Sequence, residues 1–152
     1  MMERIRGLLA RGEALASVAR RDDLEVAVAA LLVEAARMDD RFDDSERRAI
    51  EALLATRFDL SAAEARGLLD AAEQAVDHST QLFRFTQKIA DTLRPAERAR
   101  IIEMLWEVAY ADGVLSAQED ALIRRVAALV YVPDSERMGA RRRVRQRLGL
   151  PD

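Results

Sequence analysis

Six acids recur in pairs along this chain and are the residues best placed to do chemistry. Glu34, Asp39 and Glu46 return as Glu107, Asp112 and Glu119, each 73 residues later, and Ala36 and Ile50 return as Ala109 and Ile123 at the same offset. Carboxylates at matched spacing offer hard oxygen ligands to a divalent cation, or a negative surface to a basic partner protein. With Asp112 counted as loop position 5 and Gly113 as position 6, Ser116 falls at 9 and Glu119 at 12, which is the second half of an EF-hand calcium loop. The first half is absent. Positions 1 and 3 fall on Val108 and Tyr110 in this copy and on Ala35 and Arg37 in the other, and none of these brings a carboxylate. Helix capping explains part of the pattern, because Ser116 with Glu119, and Asp43 with Glu46, have the spacing of a capping box. It does not explain Glu34 and Glu107, each five residues ahead of its aspartate in an otherwise apolar run. A carboxylate in such a place must be paired, solvated or coordinating.

The rest of the chemical inventory is spare. Cysteine is absent, which removes disulfides, thiolate nucleophiles and thiolate metal sites and suits a reducing, cytoplasmic setting. His78 is the single histidine, and a lone histidine between two helical patterns is a cap or a solvated side chain more often than a catalyst. Trp106, Tyr110 and Phe42 read as core. The net charge is only −3, but six arginines and no acid lie between Arg137 and Arg147, so the body is acidic and the tail basic. Such a tail fits an anionic membrane surface or nucleic acid. It equally fits a helix end whose dipole it complements and an acidic body with which it pairs, and without a nucleic-acid motif no nucleic-acid partner is expected.

These residues need helices to position them. The chain has 152 residues, 50% apolar yet only 5% aromatic, the make-up of one all-α domain. An amphipathic helix is expected within residues 1–22, separate from a helical domain over 23–148 with repeat units of about 24–77 and 95–147. Leu24 to Met38 is apolar nearly all round and belongs in the centre of the fold. Asp43 with Glu46, Ser61 with Glu64, and Ser116 with Glu119 open further helices. Thr80 to Thr92 reads as a helix burying Leu82, Phe83, Phe85 or Thr86, Ile89 and Leu93. Pro95 opens the next at its first position, and Val132-Pro133 closes the one after. Asp134 or Ser135 is expected to cap the last, over Glu136 to Arg147. No stretch reads as a strand, and no apolar run approaches the ~20 residues of a membrane span. The result is a bundle of seven to eight helices with a pseudo-two-fold internal repeat, in which Phe42 and Leu115 are expected to face one another.

LWEVAYADGVLSAQE, LLVEAARMDDRFDDSE and FRFTQKI together resemble the TerB tellurite-resistance family of bacterial cytoplasmic proteins, over about Leu24 to Val132. The resemblance implies an all-helical domain with internal pseudo-symmetry. It also implies a non-enzymatic, acidic adaptor or metal-sensing module serving tellurite and other chemical-stress responses, with links to membrane-associated complexes. The acids shared across the family fall on Glu34, Asp39, Glu46, Glu107, Asp112 and Glu119, the expected metal ligands. The first loop departs from the pattern at Asp40, where no glycine stands. The domain is also similar to the N-terminal part of membrane-anchored J-domain co-chaperones. Three readings follow: an acidic module binding a divalent metal or a partner protein, a membrane-edge adaptor docking through its first helix or basic tail, and a metal-dependent hydrolase using the clustered acids.

Overall fold

Local signals start and stop almost every helix. The computed structural model describes residues 23–38, 43–78, 82–111 and 115–151. They form seven helices and, among the described residues, no strand. Helix α1 includes residues 23–37, α2 is Asp44–Phe58, α3 Ala62–His78, α4 Leu82–Thr92, α5 Pro95–Ala109, α6 Ala117–Leu129 and α7 Asp134–Arg147. The amphipathic helix expected within residues 1–22 lies outside the described residues.

The capping spacings behave as their chemistry requires. Asp43 accepts from the Glu46 N–H at 2.9 Å and opens α2. At α3 the Ser61 hydroxyl accepts from the Glu64 N–H at 3.1 Å while the Glu64 carboxylate accepts from the Ser61 N–H at 3.0 Å. The same reciprocal pair, both bonds 3.1 Å, joins Ser116 and Glu119 at α6. Pro95 takes the first position of α5, and Glu97 accepts from the Arg94 N–H at 3.2 Å.

Two expectations are corrected. Neither Asp134 nor Ser135 caps α7: the helix begins at Asp134, and Pro133 holds the cap position with no side chain able to accept. Phe83 is exposed rather than buried, at 61%. On α4 the inward stripe passes through Leu82, Phe85, Thr86 and Ile89, and Phe83 sits about 100° away from Leu82 at the period of an α-helix.

Helix α1 is the most deeply buried segment, with Val28 to Val33 wholly inaccessible. Helix α5 is the other organising element. It contacts α2, α6 and α7, and it buries Ile101, Ile102, Leu105 and Trp106 completely. The Trp106 ring stacks on Tyr110 at 6.0 Å, and its Nε1–H donates to the Arg137 carbonyl oxygen at 3.1 Å. That bond ties the last turn of α5 to the first turn of α7. Trp106 and Tyr110 are therefore core residues, as their apolar neighbours suggested. No helix among the described residues is long and apolar enough to cross a membrane.

Candidate functional site

The recurrent acids divide into two kinds of place. Glu46 and Glu119 are the third residues of α2 and α6, buried to 5% and 3% exposure. A helix start offers free N–H groups and the positive end of the dipole, so a carboxylate there is stabilised. Glu34 and Glu107 sit instead in the last turns of α1 and α5, half-buried. There the carbonyl end of the helix and the loss of water both oppose negative charge. Burial is the main cause that raises the pKa of each carboxyl above its ordinary value; Arg37 works against it for Glu34, and Arg147 for Glu107. Asp39 and Asp112 lie outside the described residues, as do Phe42 and Gly113, so the expected approach of Phe42 to Leu115 falls outside them too. Among the described residues no three acids or histidines gather closely enough to hold a metal ion. The His78 side chain is likewise outside the described set.

The two late-helix glutamates differ in what surrounds them. Arg147 on α7 bridges Glu107 and Glu103, the latter at 2.8 Å, and Arg143 reaches Glu103 at 3.7 Å. Glu107 is thus held in an ion-pair network, beside a cleft of about 250 Å³ that Arg57, Arg100 and Met104 help to line. Glu34 has the attraction of Arg37 but, among the described residues, no hydrogen bond and no ion pair. Arg37 is turned to α3, where it pairs with Asp77 at 2.8 Å and Glu73 at 4.0 Å. Arg47 on α2 adds Glu73 and, at 3.2 Å, Asp70.

One group was not singled out from sequence. Tyr110 ends α5 with 3% exposure, and its hydroxyl oxygen accepts from Arg141 Nε at 2.8 Å and from an Arg145 guanidinium N–H at 3.0 Å. The signal for it is present in the spacing. Arg141 and Arg145 are four residues apart, as are Arg143 and Arg147, which places the pairs on two different sides of α7. Treating the tail as one basic block concealed that division. The expectation that the tail pairs with the acidic body holds for Arg143 and Arg147; Arg141 and Arg145 meet a phenol instead.

An all-α bundle with buried acids at two helix starts and half-buried acids at two helix ends defines a small helical module. Residues 25–142 match the family model described as tellurite resistance protein TerB, and the chain belongs to that family. No curated protein and no solved structure gives a significant match.

Proposed function

We propose that this TerB-family domain is a non-enzymatic, cytoplasmic binding module that takes a divalent cation at its acidic loops, in the service of a tellurite or related chemical-stress response. The observation that carries the reading is Glu34: a half-buried carboxylate at a helix end, disfavoured by burial and dipole, with no hydrogen bond or ion pair among the described residues. A cation removes that cost. Asp39 and Glu46 follow it at the spacing repeated in Asp112 and Glu119, so the stretch from the last turn of α1 to the first turn of α2 brings three of the recurrent acids. The second loop has the same acids, but Arg147 already neutralises Glu107. The two loops are therefore unequal, and the first is the stronger site. The bound cation would then present the first loop to a partner protein.

Calorimetry of chelator-stripped protein against calcium, magnesium, manganese and zinc tests this, with Glu34→Gln and Glu107→Gln as paired variants. Binding that Glu34→Gln loses and Glu107→Gln keeps is the expected result. No heat with any ion, or equal losses in both variants, would overturn the reading and turn attention to a basic protein partner on the same acids.

A further inference from the structure

Helix α7 divides its cations between two faces. On one, Arg143 and Arg147 are neutralised by Glu103 and Glu107. On the other, Arg141, Arg142 and Arg145 line a groove of about 350 Å³ together with Met138, and among the described residues none of the three has a carboxylate within ion-pair distance.

Like charges held side by side repel, and free guanidinium groups would spread into water. Two of these are fixed. The Arg141 guanidinium lies 5.7 Å from the Trp106 ring centre and that of Arg145 lies 5.3 Å from the Tyr110 ring centre, so both rest on aromatic rings buried in the core. Both donate to the Tyr110 oxygen, and Arg145 donates also to the Pro151 carbonyl oxygen. In accepting two bonds the phenol oxygen uses both its lone pairs, and its own proton has no acceptor among the described residues. Two fixed cations that line one groove, with no carboxylate beside them among the described residues, point to an anion.

We propose that this groove is a phosphate-binding site. Guanidinium forks match phosphate oxygens two at a time, and three cations around one groove suit a dianion better than a single carboxylate. Arg141 and Arg145 are held in advance, which lowers the ordering cost of binding. Arg142 adds an exposed cation to the lining, and Met138 offers an apolar wall to whatever carries the phosphate. The site uses none of the six recurrent acids and stands whether or not they bind a cation.

The test is a calorimetric titration with inorganic phosphate and with glycerol phosphate, and a flotation assay on phosphatidylcholine vesicles containing either phosphatidic acid or phosphatidylserine. Arg142→Gln removes an exposed cation, Tyr110→Phe removes the hydroxyl but keeps the stacked ring, and Arg143→Gln on the opposite face is the control; circular dichroism checks the fold of each. Arg142→Gln should weaken phosphate binding by about tenfold, Tyr110→Phe by several-fold, and Arg143→Gln hardly at all. The same ranking on phosphatidic acid vesicles, without binding of the free phosphates, would identify a lipid headgroup as the source. Equal losses in Arg142→Gln and Arg143→Gln, equal binding to the two anionic lipids, or no saturable binding to any probe would overturn the proposal.

Discussion

Replacing Trp106 by Phe tests how α7 is held against the core. Trp106 is completely buried, stacks on Tyr110, lies beneath Arg141 and donates to the Arg137 carbonyl oxygen. Phenylalanine keeps an aromatic ring but lacks two carbons and the nitrogen of the indole side chain. Lost burial of two carbons costs about 1.5 kcal/mol at ~0.8 kcal/mol for each. The hydrogen bond adds about 1 kcal/mol, near the middle of the usual range, because the Arg137 carbonyl still has its place in the helix ladder. The expected loss is about 2.5 kcal/mol, or ~5–10 °C in melting temperature for a chain of this size. Trp106 is the only tryptophan, so the variant must be followed by far-ultraviolet circular dichroism in urea rather than by fluorescence. An unaltered denaturation midpoint would refute the claim that this bond and this volume lock α5 to α7.

Three further outcomes are expected. Ser116→Ala, which removes one acceptor of the α6 cap, should cost about 1 kcal/mol by chemical denaturation. Tyr131 is 75% exposed and sits at φ 61, in the left-handed region, so Tyr131→Gly should relieve strain and stabilise the fold by up to about 1 kcal/mol in the same assay. Folding raises the Glu34 pKa, so the folded state holds its proton more tightly than the unfolded chain does. Its contribution to stability is full below the ordinary carboxylate pKa and is lost as pH climbs through the raised value. Glu34→Gln should therefore be more stable than the parent at neutral pH, with the gap closing on acidification in paired urea titrations. A gap that widened toward acid would give the wrong sign.

Helix positions were legible because their signals are local. A serine three residues before a glutamate satisfies two free N–H groups without help from the rest of the fold, and Ser61 and Ser116 do so. The buried stripe of α1 was equally clear, since an element apolar all round has to be interior. Less legible was where the offset of 73 slips. Asp43 and Ser116 keep the offset of 73, but the turns that end α2 and α6, with Leu60 N–H on Ala55 O and Val132 N–H on Ala127 O, are related by 72. That shift puts Pro133 where Ser61 stands, and α7 loses the side-chain cap its neighbouring polar residues suggested. Nor could spacing alone give the partners of the six acids. Whether a half-buried carboxylate is paired depends on residues 40 positions away, as Glu107 and Arg147 are.

The junctions of α1 with α3 and of α5 with α7 carry exchanged charges. In the first, the cation is on the central helix: Arg37 of α1 reaches Glu73 and Asp77 of α3. In the second, Tyr110 stands 73 residues after Arg37 and Arg145 stands 72 after Glu73, so a neutral acceptor on α5 meets a cation on α7. A carboxylate pair satisfies Arg37 completely, whereas a phenol oxygen accepts hydrogen bonds from Arg141 and Arg145 without cancelling their charge. The first junction is closed by the chain itself and the second is left electrically open. An anion in the α7 groove would thus do for Arg141 and Arg145 what Glu73 and Asp77 do for Arg37, and the late-helix acids show the opposite imbalance, with Glu107 neutralised and Glu34 open. One chain thereby carries an unmet negative charge at Glu34 and unmet positive charge on α7, which is why a cation and a phosphate are sought at different residues of the same fold.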